Sequence, residues 1–225
     1  TKDELAYYST QFNSIELNAT FYRIFPENTV TNWYNKTPDS FMFFPKIPQQ
    51  ISQFKRLVNC EDIVNTYLDS IIHLKEKLGM IFLQMHPNFA PKSFNNLKLF
   101  IEAWPKEFPL AVELRHPDWF HEPSVAKELY DLFETHNVSN IIVDTAGRRD
   151  LLHMKLTSKD AFIRYNGANH ESDYTRLDDW FERIKIWIDN GLENLYFFVH
   201  QNIETASPLL SKYFIERLNN ELGYN

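Results

Sequence analysis

The sequence predicts a mostly parallel α/β fold of the TIM-type (β/α) barrel class, and three observations point there. Short apolar runs alternate with longer amphipathic stretches along the whole chain. Each run turns polar at its C-terminal end. Glycine is scarce, with five among 225 residues, and no composition break divides the chain. Strand–helix alternation implies a parallel sheet covered by helices. A barrel fits better than an open doubly wound sheet, because neither a glycine fingerprint nor a domain break marks a switch point.

The elements follow in order. The opening T-K-D-E-L-A-Y-Y-S-T-Q-F is an amphipathic helix pattern and not a signal peptide. Apolar runs at 13–17, 41–45, 80–83, 110–114, 140–143, 161–165 and 195–199 have the length and the β-branched or aromatic content of buried strands. Between them, Ile63, Tyr67, Ile71, Leu74 and Leu78 keep one helical face, which Gly79 ends ahead of the next strand. Pro123 and Ser124 mark another helix start. Leu177, Trp180, Phe181, Ile184, Trp187 and Ile188 form the clearest amphipathic stripe, stopped by Gly191. Ser207 and Pro208 open the last helix, with Leu209, Leu210, Tyr213, Phe214 and Leu218 on its apolar side. An eight-stranded barrel usually needs about 250 residues. Seven runs in 225 residues, starting on a helix, therefore read as one domain over 1–225 whose first strand lies before Thr1.

Composition excludes several functions. Gly79, Gly147, Gly167, Gly191 and Gly223 form no G-x-G, so a Rossmann fingerprint, a P-loop and a kinase glycine loop are all ruled out. A net charge of −7 lacks the basic footprint of a nucleic-acid binder. No run of 18 apolar residues is present to span a bilayer, so no membrane partner is expected. Cys60 is the single cysteine, which makes a reducing cytoplasm the expected compartment.

The strand ends carry Glu16 and Asn18, then Lys46, Gln84 and His86, Glu113 and Arg115, Asp144, Arg164 and Asn166, and His200 and Asn202. The paired members are two residues apart, so each pair projects from one face of its strand. Barrel enzymes build their sites at this end. Any one polar residue there is also explained by capping or solvation, and the set by a structural salt-bridge layer. Its mixture of acids, cations, imidazoles and amides favours a functional mouth, since charges entering a partly dry cavity must be paired or functional.

At these residues the chain resembles the DUF72 family (YecE-like proteins). The strings that carry the resemblance are F-N-S-I-E-L-N at 12–18 with T-F-Y at 20–22, F-P-K-I-P at 44–48, and L-Q at 83–84. V-E-L-R-H-P at 112–117 with W-F at 119–120, D-T-A at 144–146, F-I-R-Y-N-G at 162–167, Tyr174, Trp180 and H-Q-N at 200–202 complete it. The resemblance implies a TIM-type barrel with its site at the strand ends. It supplies no reaction, because the family is named for an unknown function. A G-T-S-G-W-like opening segment typical of the family is absent here, and Asn166-Gly167 and His200-Gln201-Asn202 stand where many members read H-G and N-N.

The chemistry is weighed on residue types. His86, His116, His200, Glu16, Glu113 and Asp144 are nominal metal ligands, yet no close-spaced ligand motif is present and Lys46, Arg115 and Arg164 would repel a cation. No metal site and no cofactor are expected. Arg forks on separate strands suit a carboxylate or phosphate. A carboxylate among aromatics and cations suits proton transfer, because desolvation favours its neutral form and a cation its ionised form. Lys46 is a base, a Schiff-base amine or the counter-ion of Glu113. Among the remaining histidines, His73 and His136 read as helix or capping residues, while His121, His153 and His170 lie in loop-like stretches from which a side chain could reach the mouth.

The leading expectation is an enzyme using acid/base chemistry on a small anionic molecule, phosphorylated or carboxylated. Glu113, Lys46 and Asp144 are the expected catalytic groups. Glu16, Asn18, Gln84, Arg115, His116, Arg164, Asn166, His200 and Asn202 are the expected substrate contacts. Two other classes stand beside it: a metal-dependent phosphodiesterase or nucleic-acid repair enzyme holding a divalent metal, and a non-catalytic ligand-binding barrel.

Overall fold

The computed structural model describes residues 4–223. The helix predicted at the start is α1 (Glu4–Gln11), and Thr1, Lys2 and Asp3 lie outside the described residues. Every predicted apolar run falls on strand. These are β1 (Ser14–Leu17), β2 (Met42–Pro45), β3 (Ile81–Gln84) and β4 (Leu110–Glu113), followed by the short β5 (Ser139–Asn140), then β6 (Ile142–Thr145), β7 (Asp160–Gly167) and β8 (Asn194–Gln201). The run at 140–143 thus spans two strands. Between them lie α2 (Glu27–Asn35), α3 (Glu61–Ile71), α4 (Phe94–Ala103), α5 (Asp118–His121), α6 (Pro123–Thr135) and α7 (Ser172–Asp189), with α8 (Ser207–Leu222) last. Among the described residues no helix is long and apolar enough to cross a membrane.

The backbone divides into two compact units, Thr1–Val138 and Ser139–Asn225. In the first unit β1 pairs with β2 and β3 with β4, both parallel, and parallel bridges Phe43–Leu78 and Lys46–Phe82 join β2 to the β3 region. In the second, β6, β7 and β8 run parallel in that order. The fold is therefore mixed α/β with parallel sheets. No closed ring of strands is found among the described residues, so the expected barrel closure does not follow from the pairing.

Alternation along the strands gives each sheet two distinct faces. In the first unit Leu17, Phe43, Ile81, Leu83, Leu110 and Val112 join one apolar core with Val64, Tyr67, Leu68 and Ile71 of α3. Glu16, Phe44, Gln84 and Glu113 alternate with these and face the other way. In the second unit Ile142, Ile163 and Tyr165 pack with Leu177, Trp180, Phe181 and Ile184 of α7 and with Leu210 and Phe214 of α8. Val143, Arg164 and Phe198 share a register level, as do Thr145, Asn166 and His200, and these levels belong to the opposite face.

The helix stripes mostly behave as their spacing requires. All of the predicted α7 stripe except Ile188 is buried, and Asp173 in its first turn matches the helix dipole. Pro123 sits at the start of α6, where its missing N–H costs nothing. Two details differ from expectation. Leu209 is exposed on α8 while Leu210 and Phe214 are buried. Gly79 does not end a helix, because α3 stops at Ile71 and a tighter turn continues through Lys77. Its glycine is required for space instead: an added Cβ would stand 2.8 Å from Cζ of Phe44.

Candidate functional site

The polar end of the first sheet begins with the register. Gln84 and Glu113 are Cα partners on adjacent parallel strands, so both side chains leave the same face at the same level. Gln84 Nε2 donates to both carboxylate oxygens of Glu113, at 2.9 and 3.0 Å. Lys46 follows β2 and pairs across to Phe82, which brings its Nζ to 2.8 Å from Gln84 Oε1. The amide orientation is forced, because an ammonium only donates and a carboxylate only accepts. A cation, an amide dipole and an anion therefore stand in line.

Packing holds this line in place. Thr20 Oγ1 lies 2.8 Å from the Leu17 carbonyl and 2.7 Å from the Lys46 carbonyl, fixing the ends of β1 and β2 against each other. Gln53 Nε2 donates to the Gln84 carbonyl at 2.8 Å. The Lys46 ammonium lies 4.5 Å from the Phe21 ring centroid and 5.7 Å from that of Phe82, where ring quadrupoles attract it. Glu113 is almost fully buried, and Arg115 Nε approaches its Oε1 at 3.5 Å from a half-exposed side chain. Burying a carboxylate is costly unless cations and donors compensate it; here Gln84 and Arg115 do so. Glu16 is also buried, and its charge, after burial itself, raises the Tyr8 hydroxyl above its ordinary range.

Other expected members of this end have local roles in the turns that follow the strands. Asn18 starts a single helical turn, Asn18–Phe21, beyond β1. His86 and His116 make local turn contacts, accepting from the amides of Asn88 at 3.1 Å and Asp118 at 3.3 Å.

The second sheet brings a correction to the expected placement of Asp144. Its register partner is Tyr165, a residue of the helix-packed face, so Asp144 faces α7 and not the side that carries Arg164. Both its oxygens are engaged: Arg176 Nη2 lies 2.7 Å from Oδ1 and Trp180 Nε1 2.8 Å from Oδ2. The same guanidinium reaches Asp173 at 3.3 Å and sits 4.3 Å from the centroid of the Tyr165 ring. Asp173 in turn accepts from the Ala168 and His170 amides, and Tyr165 Oη donates to the Asp173 carbonyl at 2.9 Å. Sequence reading missed Arg176 and Asp173. The usable signal was helical spacing, since Asp173, Arg176 and Trp180 lie three and four residues apart on one face of α7.

On the other face, Asn166 donates to Thr145 Oγ1 at 2.9 Å, Arg164 is half-buried, and Asn202 is exposed beyond β8. His200 lies 3.5 Å from Glu204. His153 is not at a strand end; it is tucked against Asn140 and the Ile141 carbonyl, and burial lowers its imidazole to about 4. Among the described residues no group of three or more His, Cys, Asp or Glu is placed to hold a metal ion.

Parallel sheets with one helix-packed face and polar strand ends define an α/β protein of a known structural kind. The chain belongs to the family described as "Protein of unknown function DUF72", whose model matches residues 1–223. It is 28% identical to the UPF0759 protein YecE of Escherichia coli K12 over 222 residues, covering 90% of this chain and 81% of that protein. It is 30% identical to the UPF0759 protein YunF of Bacillus subtilis over 134 residues, covering 55% of this chain and 46% of that one. A DUF72 family protein of Enterococcus faecalis V583 superimposes with a TM-score of 0.83 at 19% identity, covering 97% of this chain and 94% of that one. A Thermotoga maritima MSB8 member gives 0.71 at 22% identity, covering 93% and 85%. At these identities the structural likeness establishes the fold.

Proposed function

We propose that the Lys46–Gln84–Glu113 line is the reaction centre of an enzyme that binds a small phosphorylated or carboxylated molecule and works by proton transfer. The observation that carries this is a nearly inaccessible carboxylate, Glu113, joined to a buried lysine through one amide and flanked by a half-exposed arginine. In this assignment Arg115 binds the anion, since a guanidinium offers five donors in a planar fork. Glu113 gives or takes the proton. Lys46, one amide away, offsets the charge of the ionised carboxylate. Gln84 orients both.

In the second unit the corresponding anion-binding group is Arg164, with Asn166 and His200 as polar contacts on its face. Asp144 is given a structural role through Arg176 and Trp180. The architecture underlying the proposal is a TIM-type barrel with polar strand ends at its mouth, supported by the strand–helix alternation and the parallel pairing. The cytoplasm is its compartment, on the strength of the single cysteine.

Thermal-shift screening with inorganic phosphate, phosphate monoesters and short carboxylates tests the assignment. Anions should stabilise the wild type, and Arg115→Ala should lose most of that anion-induced shift, each protein being read against its own ligand-free melting temperature. Equal shifts in both proteins would remove Arg115, and the site with it, from consideration.

A further inference from the structure

The turn after β2 departs from ordinary backbone in two ways that the reaction centre itself does not explain. Gln50–Phe54 is a wide helical turn of the π type, closed by Lys55 N–H on the Gln50 carbonyl at 2.9 Å. Directly after it, Arg56, Leu57 and Asn59 have φ of +50°, +69° and +47°. Left-handed backbone at a leucine and an arginine is costly, and it persists only where surroundings over-determine it, typically at ligand clamps. π-type turns are likewise enriched at functional sites. Here the anchors are Ile51, Ser52 and Leu57, all buried, and a Leu57 N–H to Ile51 carbonyl bond of 3.1 Å.

That rigid turn holds a large ring out in solvent. Phe54 is 70% exposed, while the preceding Gln53 is bonded to the backbone of Gln84. A second ring stands out in the same unit. Tyr22 is 72% exposed and meets Phe21 edge-on at 5.2 Å, the same Phe21 whose ring covers the Lys46 ammonium. Each exposed ring is thus next in sequence to a residue that touches the Lys46–Gln84–Glu113 line. Neither contributes to the core, so folding alone does not account for them.

We propose that Tyr22 and Phe54 are aromatic walls of the reaction centre, and that its substrate is an anion carrying a planar aromatic or heteroaromatic ring. This rests on the anion-binding assignment made above. Stacking on an exposed aromatic is worth about 1–3 kcal/mol per ring by alanine substitution, or about 5- to 150-fold in affinity.

Calorimetric titration with inorganic phosphate, methyl phosphate, cyclohexyl phosphate and phenyl phosphate separates the two levels of the proposal. Phenyl phosphate should bind at least about 10-fold more tightly than methyl phosphate and more tightly than cyclohexyl phosphate. Tyr22→Ala and Phe54→Ala, both at exposed positions, should each remove most of that advantage and leave the methyl phosphate affinity unchanged. Phenyl and methyl phosphate binding alike, or a phenyl advantage that survives both substitutions, overturns the aromatic walls while the anion site stands. If cyclohexyl phosphate matches phenyl phosphate, the rings offer only apolar cover and ring recognition is wrong. If none of the four anions binds, the anion-binding assignment itself fails, and the walls with it.

Discussion

Gln84 Nε2 stands 2.9 and 3.0 Å from the two carboxylate oxygens of Glu113, its register partner on the neighbouring parallel strand. A single amide thus occupies both oxygens of a buried acid, and its own oxygen takes the Lys46 ammonium. The amide thus links Lys46 to Glu113. In double-mutant cycles by urea unfolding, Lys46→Met and Glu113→Gln should show a coupling of about 1–3 kcal/mol. In a Gln84→Leu background that coupling should weaken. Strictly additive effects would mean that the three side chains are neighbours and not a unit.

The Asp144–Arg176 pair lies between β6 and α7, with side chains 1% and 11% exposed. Removing one partner strands the other charge in the core. Arg176→Met and Asp144→Leu should each destabilise by about 3 kcal/mol or more, read as a lowered urea midpoint. Arg176→Lys should recover little, because an ammonium lacks the fork that serves Asp144 and Asp173 together.

Gly167 marks the tightest approach in that region. A Cβ there would come within 2.2 Å of Gln201 Oε1 and 2.9 Å of Asp173 Oδ2. Gly167→Ala should cost about 1–3 kcal/mol by overpacking. Adding Gln201→Ala should return part of that loss, the other part being the clash with Asp173. Denaturation of the double variant checks this directly.

His153 makes stability depend on pH. Burial lowers its imidazole from 6.5 to about 4, with Nδ1 placed to accept from Lys155 N–H at 3.3 Å and Nε2 facing the Ile141 carbonyl. The unfolded chain therefore binds a proton that the folded chain resists. Stability should fall as pH drops from about 6.5 toward 4, by about 1–2 kcal/mol between pH 6.5 and 5. His153→Gln should flatten that portion of the urea-midpoint curve. An unchanged slope would assign the dependence to other groups.

Much of the sheet was legible because a buried strand must be apolar on both faces, and every such run became strand. Polar strand ends were legible for the same reason, and so Lys46, Gln84 and Glu113 stood out before their contacts were known. Asp144 was not, because its facing depends on parity within a run that begins with the separate strand β5. One residue of shift places it against α7. Its partner Arg176 lies 32 residues further along, inside a helix whose apolar stripe dominated the pattern. The strained turn at 56–59 left no composition signal, since its left-handed residues include arginine and leucine and no glycine.

The central claim, that the Lys46–Gln84–Glu113 line and Arg115 receive a small anion, is tested most directly by nitrogen-15 NMR. The signals to follow during a phosphate monoester titration are the Gln84 side-chain amide and the Arg115 Nε–H. The account predicts saturable shifts at both, sharing one dissociation constant, and their loss in Arg115→Ala for the Gln84 signal. Saturable shifts confined to other residues, or none at these two, would contradict it.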